Sequence, residues 1–233
     1  MRMADRQMCH VAWRIAFAAG LALACTAAPH AQLPATDAGT ALLHAAREGD
    51  AAAVRRLLAQ GAPVDALDAH GSTPLLLATA GNHVEVARSL VLAGADVNRQ
   101  NDQRDSPYLL AGARGRLEIL RMTLSYGADL KSTNRYGGTA LIPACERGHA
   151  ETVRTLIAAG VAVDHVNRLG WTCLLEAIVL SDGGPPHQDI VRQVLAAGAD
   201  VNLADRDGVT PLAHARRRGQ TEMERILTAA GGR

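Results

Sequence analysis

Three histidine–carboxylate pairs are the residues of this sequence whose types and spacing could do chemistry. Each places a histidine two positions before an acidic residue, as at the start of a zinc-dependent deaminase motif: His83 and Glu85, His149 and Glu151, His187 and Asp189. Such a deaminase also needs a Pro-Cys-x-x-Cys segment for its zinc, and the sequence has none. It also lacks His-Glu-x-x-His, Gly-x-Ser-x-Gly and a glycine-rich phosphate loop. We therefore expect no catalytic residues, no metal site and no cofactor.

The three pairs recur at one position of a longer unit, which explains them without chemistry. A Thr or Ser slot returns after 33, 33, 33, 33 and 38 residues, and a glycine follows it in the same register. Two markers in register indicate six tandem repeats. We expect the pairs to cap the second helix of the unit, because the helix dipole favours acidic residues in its first turn. The Thr or Ser slots are Thr40, Thr73, Ser106, Thr139, Thr172 and Thr210, and the glycines are Gly61, Gly94, Gly127, Gly160, Gly198 and Gly231.

The residue pattern of each unit predicts two short helices. The Thr or Ser hydroxyl can cap the first helix, where a following proline such as Pro74 suits the first turn, and Asp37 is expected to cap the first helix of the array. A small residue in the first helix lets a neighbouring helix approach closely. The second helix carries apolar residues at i, i+3 and i+4, which indicates one buried face. The small residues are Ala45, Ala78, Ala111, Ala144, Ala177 and Ala215, and the apolar stripes include Val54 and Leu57, Ala87 and Leu90, Val153 and Leu156, and Val191 and Val194.

On these residues the unit resembles an ankyrin repeat. The family signature is Thr-Pro-Leu-His, and its first three letters occur at residues 73–75 and 210–212. The signature histidine is replaced throughout, by Leu43, Leu76, Leu109, Ile142, Leu175 and Ala213. The resemblance implies an all-α solenoid of about six stacked helix-turn-helix repeats joined by β-hairpin-like loops. The array is expected over 36–233, with repeats starting near 38, 71, 104, 137, 170 and 208.

The first 31 residues do not follow the repeat pattern. Arg2, Arg6 and Arg14 precede an apolar run over 15–28, and small residues follow it. This order is typical of a secretory signal, so we expect 1–31 to be a signal peptide and the protein to be periplasmic. An alternative is a lipoprotein signal ending before Cys25, which would leave the protein lipid-anchored in the envelope. The 14-residue run is shorter than the roughly 20 residues that span a bilayer, so no integral membrane span is expected.

The charge balance gives no sign of a polyanionic partner. The whole chain has a net charge of +1, and removal of 1–31, with its three arginines and one aspartate, leaves about −1. We therefore expect no nucleic-acid partner. Only 3% of the residues are aromatic, which suits stacked repeats that each contact only their neighbours. The protein is expected to be a monomer.

Two cysteines, Cys145 and Cys173, lie within the array. A disulfide between them would suit an exported protein. Their repeat positions differ by five, however, and neighbouring repeats are expected to step by about 10 Å. Because a disulfide needs Cα atoms within roughly 7 Å, we expect both residues to be buried, unpaired small hydrophobes.

The resemblance also implies where a partner would bind. In ankyrin arrays the loop tips and the outer side of the first helices form a concave face that contacts other proteins. Aromatic and arginine side chains dominate binding energy, so Tyr136 and Trp171, flanked by Arg135 and Arg168, are the predicted centre. The predicted protein-binding residues are His70, Asp102, Asp105, Arg135, Tyr136, Arg147, Arg168, Trp171, Arg206 and Asp207.

The function expected from the sequence is that of a non-catalytic protein-interaction scaffold in the bacterial envelope. The alternative keeps the scaffold but gives it a dedicated role, as an accessory, inhibitor or immunity factor for an exported enzyme. The sequence names no partner, since a repeat surface encodes its partner in side chains without a general code.

Overall fold

The computed structural model describes residues 35–233, which form helices joined by turns. The predicted signal peptide over 1–31 and the possible lipid anchor at Cys25 lie outside the described residues. No strand occurs within 35–233, and no helix there is long and apolar enough to cross a bilayer. The helices are α1 Ala35–Glu48, α2 Ala51–Ala59, α3 Pro74–Gly81, α4 Val84–Leu92, α5 Pro107–Ala113, α6 Leu117–Ser125, α7 Leu141–Glu146, α8 Ala150–Ala158, α9 Cys173–Val179, α10 Pro185–Ala196, α11 Pro211–Arg217 and α12 Thr221–Ala229.

The helices stack in two layers, as the repeat spacing predicts. Each odd-numbered helix packs on the next odd-numbered helix, and each even-numbered helix packs on the next even-numbered one. Within each repeat the two helices also pack on each other. The predicted all-α solenoid of six helix pairs is therefore confirmed.

The layers meet through the small residues and apolar stripes that the sequence predicts. The six predicted alanines of the first helices are at most 6% exposed. On the second helices, the predicted stripe residues Val54, Leu90, Leu156 and Val194 are also buried. Because each of these side chains contacts its own or an adjacent repeat, the core runs the length of the array and has no single centre.

Four of the predicted hydroxyl caps are present. The side-chain oxygens of Thr73, Ser106, Thr172 and Thr210 accept the N–H of the third following residue at 3.1, 3.2, 3.2 and 3.3 Å. The prediction is wrong at Thr139, because Ala140 takes the cap position of α7 and the buried Thr139 hydroxyl has no hydrogen-bond partner. It is also wrong in the first repeat, because α1 begins at Ala35, so that Thr40 and Asp37 both lie within the helix.

The β-hairpin-like loops expected between the repeats are tight turns, with no strand within 35–233. One Asp or Asn organises each turn: its side-chain oxygen accepts the N–H groups of the second and fourth following residues. Its own backbone N–H donates to the carbonyl of the fourth following residue. This is the local bonding that favours Asn and Asp in turns. The turn residues are Asp68, Asn101, Asn134, Asn167 and Asp205.

Cys145 and Cys173 form a disulfide, with Cα atoms 5.4 Å apart. The prediction of two unpaired cysteines is therefore wrong, because the two first helices approach each other more closely here than the expected repeat step of about 10 Å allows. At the equivalent positions one repeat earlier, a Cβ added to Gly112 would lie 2.8 Å from the Cβ of Ala140. The end of one first helix therefore meets the start of the next at a close contact, and this contact brings the two cysteines together.

The five extra residues of repeat five are absorbed into structure. Three of them lengthen the second helix, so that α10 has 12 residues where α8 has 9. The carbonyl of Ser181, just before this segment, accepts hydrogen bonds from Arg218 and Gln220 of repeat six, both at 3.0 Å. The last two repeats are therefore hydrogen-bonded to each other next to the insertion.

Candidate functional site

A groove of about 440 Å³ runs across repeats three to five, between the turns and the first helices α5, α7 and α9. Four predicted binding residues line it: Asp105, Arg135, Tyr136 and Arg147. The other six do not: His70, Asp102, Arg168, Trp171, Arg206 and Asp207. The structure thus brings fewer than half of the predicted residues into one concave site.

The groove arginines are held by acceptors in the preceding repeat. Arg114 donates to the carbonyl of Ala80 at 3.2 Å, and Arg147 donates to the carbonyl of Ala113 at 2.6 Å. Both carbonyls belong to the last turn of a first helix, where the helix dipole favours a positive charge. These arginines therefore stabilise the stacking of repeats as well as lining the groove.

Arg135 and Tyr136 form a contact on the wall of the groove. The Arg135 guanidinium lies over the Tyr136 ring, 4.8 Å from its centroid, which is within the range of a cation–π interaction. Arg135 also donates to the side chain of Gln103 at 3.1 Å and approaches Asp105 at 3.8 Å. Burial raises the pKa of Asp105 despite the opposing charge of Arg135. The arginine is thus fixed in place, and Tyr136 remains 53% exposed.

The remaining predicted residues lie at the turns. Consecutive turn tips are connected by backbone hydrogen bonds, from Asp102 N–H to the His70 carbonyl at 3.1 Å and from Arg168 N–H to the Tyr136 carbonyl at 2.9 Å. Trp171 is half-buried, and its backbone N–H donates to the side-chain oxygen of Asn167. Of the predicted Tyr136–Trp171 centre, only Tyr136 lines the groove.

Glu176, which the sequence analysis did not select, lies at the floor of the groove. Its side chain is 5% exposed, and one carboxylate oxygen accepts a hydrogen bond from the Asn167 amide at 2.7 Å. Burial, together with the negative charge of Glu146, raises the pKa of Glu176 to about 7. A signal for it was available, because the equivalent slot holds Leu77, Leu110 and Pro143 in the three preceding repeats.

The groove also has an apolar rim that the predicted set does not contain. Leu169, at a turn tip, is 53% exposed, and Leu180, just after α9, is 47% exposed. Both line the groove together with Tyr136. Exposed aromatic and aliphatic side chains around a buried polar group are typical of a binding site.

Two of the three histidines of the sequence pairs, His83 and His187, connect neighbouring repeats. The His83 imidazole donates from Nε2 to the carbonyl of Arg47, and that of His187 donates to the carbonyl of Glu146, both at 3.0 Å. Neither His83 nor His149 makes a side-chain hydrogen bond to the helix that it precedes. The acidic partners Glu85 and Glu151 do lie in the first turns of α4 and α8, as expected from the helix dipole. The expectation is wrong for the third pair, because His187 and Asp189 lie within α10 and its first turn holds no acidic residue. Within 35–233, no group of three His, Cys, Asp or Glu side chains is arranged to hold a metal ion.

Comparisons with known proteins agree with this architecture. A family model of ankyrin repeats in three copies matches residues 15–101 and 109–205, which is more than half of the chain. The chain therefore belongs to the ankyrin-repeat family, whose members are generally protein-interaction modules. The family and its fold are typically non-catalytic.

Individual relatives are similar over different lengths. A crystal structure of an ankyrin repeat domain from Acinetobacter baumannii AYE has 59% sequence identity and a TM-score of 0.80, covering 82% of this chain and 98% of that domain. The ankyrin repeat protein EF0377 has 43% identity and a TM-score of 0.79, covering 82% of this chain and 97% of its own. The putative ankyrin repeat protein YahD of Escherichia coli K12 is 53% identical over 57 residues, 24% of this chain and 28% of YahD.

Proposed function

We propose that this protein is an exported, non-catalytic binding module that holds a protein partner in the concave groove of repeats three to five. The observation that carries the proposal is the composition of this groove: a buried carboxylate, arginines fixed by neighbouring repeats, and three exposed apolar side chains. A stacked array loses little conformational entropy when it binds, so its surface is preorganised for a partner.

Two features support export to an oxidising compartment. The sequence begins with a charged segment followed by a short apolar run, which is typical of a secretory signal. The Cys145–Cys173 disulfide joins two neighbouring repeats, and disulfides persist mainly outside the cytosol. We propose a periplasmic location, with a lipid anchor at Cys25 as the alternative. The mass of the mature N-terminus distinguishes the two.

The chain offers a matched pair of positions to test the groove. Tyr136 lines it and is 53% exposed, whereas Tyr126, at the end of α6, does not line it and is 51% exposed. A photo-crosslinking amino acid is placed at each position in turn, and the protein is irradiated in cells. We expect a discrete crosslinked partner from position 136 and none from position 126. Equal crosslinking from both positions, or none from either, would reject the groove as the binding site.

The dedicated role as accessory, inhibitor or immunity factor for an exported enzyme is the second candidate. It predicts that the partner crosslinked at position 136 is a single enzyme, bound in fixed stoichiometry, whose turnover changes on binding. A general scaffold predicts several crosslinked partners and no such change. An enzyme assay on the purified complex separates the two roles.

A further inference from the structure

The charge at the floor of the groove is incompletely compensated. Asn167 donates to one oxygen of Glu176, and the second oxygen forms no hydrogen bond within 35–233 and keeps some contact with solvent. No basic side chain of this described part lies within ion-pair distance of Glu176. A buried carboxylate without a counter-charge costs free energy. A ligand that carries a positive charge could therefore stabilise the carboxylate of Glu176 in the groove.

A second carboxylate lies in the same groove. Glu146 ends α7 and lines the groove, and its side chain makes no ion pair among the described residues. The disulfide joins Cys145, next to Glu146, to Cys173, one helical turn before Glu176. The two acidic residues are therefore carried by helices that are covalently connected.

The arginines of the groove do not form an ion pair with Glu176, because other acceptors engage them; the charge of Arg147 acts to lower the pKa of Glu176, but burial outweighs it. Arg114 and Arg147 donate to carbonyls of the preceding repeats, and Arg135 donates to Gln103 and approaches Asp105. A metal ion is also a poor candidate, because no group of three His, Cys, Asp or Glu side chains within 35–233 is arranged to hold one. A cation on a protein side chain has the right charge and can also make apolar contacts.

The rim suits the stem of such a side chain. Arginine and lysine place their methylene groups on apolar surfaces and their charged heads among polar groups. Tyr136, Leu169 and Leu180 offer that surface around the carboxylates. The volume of about 440 Å³ falls within the range of small-ligand sites, roughly 300 to 1,000 Å³, so it holds a long side chain and part of its neighbour.

We propose that the groove binds a segment of a partner protein that inserts an arginine or lysine side chain onto Glu176 and Glu146, with an adjoining apolar residue on Tyr136, Leu169 and Leu180. This inference rests on the proposed function, because it specifies the chemistry of the partner at the same groove. Arginine is the better match, because its planar guanidinium can engage a carboxylate through two hydrogen bonds.

Peptide selection tests the proposal without knowledge of the partner. Random 12-residue peptides displayed on phage are selected on the purified protein, and groove binders are identified by crosslinking to position 136. We expect these peptides to share a basic residue beside an apolar one. Replacing that arginine by neutral citrulline, or that lysine by norleucine, is expected to weaken binding at least about tenfold, as for a buried charge pair.

Two isosteric variants supply the matched comparison. Glu176→Gln removes the buried charge and keeps the acceptor for Asn167, whereas Glu118→Gln makes the same change on the exposed outer face of α6. We expect Glu176→Gln to weaken the basic peptides at least about tenfold and Glu118→Gln to leave them within about twofold. Circular dichroism confirms that both variants are folded. Equal affinity for wild type and Glu176→Gln would overturn the proposal.

The outcomes separate this inference from the proposed function. Groove-binding peptides that lack basic residues and ignore Glu176→Gln would leave the protein-binding function standing and overturn the assignment of a basic side chain. The absence of any peptide crosslinked at position 136 would overturn both. Self-association that Glu176→Gln abolishes, measured by sedimentation, would identify a second copy of this chain as the occupant and overturn the assignment of a separate partner.

Discussion

Repeats five and six each form a hydrogen bond between the turn residue and the first helix, but the acidic partner is on the helix in repeat five and in the turn in repeat six. In repeat five, the turn residue Asn167 donates to Glu176 on the helix at 2.7 Å. In repeat six, His214 on the helix donates to the turn residue Asp205, also at 2.7 Å. The spacing is the same, because the partners are nine positions apart in both repeats. The difference lies in where the acidic group is placed.

The carboxylate of repeat six is fully engaged and that of repeat five is not. Asp205 also accepts the N–H groups of Asp207 and Val209. Burial works to raise its pKa, but the N–H of Val209 and the His214 side chain outweigh burial and hold the pKa below its ordinary value. Glu176 has one partner, and its pKa is raised to about 7. One backbone framework thus stabilises the end of the array in one repeat and leaves a charge open to a ligand in the other.

The largest effect is expected from the disulfide, which cross-links repeat four to repeat five. The equivalent positions in repeats five and six hold Ile178 and Pro211, which cannot form a cross-link. Replacing Cys145 and Cys173 by alanine should lower the free energy of unfolding by about 3.5 kcal/mol, because the bridge closes a loop across a sequence separation of 28 residues. Urea denaturation with and without reductant measures this. Reductant should destabilise the wild type and leave the double variant unchanged. Superimposable curves would contradict the prediction.

The next effect concerns the buried charge of Glu176. Its folded-state pKa of about 7 is above the ordinary glutamate value of 4.5, so its contribution to stability is present below pH 4.5 and is lost as the pH rises through about 7. The loss amounts to about 3 kcal/mol for this shift. Glu176→Gln should remove that dependence and be more stable than the wild type at pH 8. Denaturation at pH 5 and pH 8 tests this, and Glu118→Gln should behave as the wild type.

A smaller loss is expected from the engaged pair of repeat six. His214→Ala removes a hydrogen bond to a charged acceptor and should cost about 1.5 kcal/mol. A double-mutant cycle with Asp205→Asn isolates the interaction. If the two single losses simply add, the pair contributes nothing and the comparison between the repeats fails.

The smallest effect is on binding. A basic peptide needs the ionised form of Glu176, whose fraction rises about tenfold between pH 6 and pH 8 for a pKa of about 7. The affinity of the selected peptides should therefore rise about tenfold over this range. The same measurement on Glu176→Gln should give a nearly flat profile. The other charged groups of the groove are Asp105, Arg114, Arg135, Glu146 and Arg147, and the variant keeps them all.

The fold was predictable because its determinants are local and repeated. The hydroxyl of Thr73, the buried Ala78 and the apolar face around Leu90 each perform the role that their spacing predicts. The disulfide was missed because it depends on how one repeat lies against the next. The close approach of Cys145 to Cys173 is a relation between helices, and it cannot be read from the period of the sequence.

The site was predictable only in part for the same reason. Tyr136 and Arg147 could be placed on the concave side from their repeat positions, and both line the groove. Glu176 was missed because the predicted binding residues were chosen from exposed positions, and Glu176 is only 5% exposed. Its signal was chemical, a carboxylate in a slot that is apolar in the three preceding repeats. Whether the groove binds a protein remains a prediction.

The position of the cross-link also governs how this array comes apart. A stack held by nearest-neighbour contacts opens from its ends, one unit after another. The disulfide between Cys145 and Cys173 lies inside the array and keeps the two residues bonded as long as it is oxidised. When the last repeats unfold, we therefore expect the first helices of repeats four and five to stay tethered to each other.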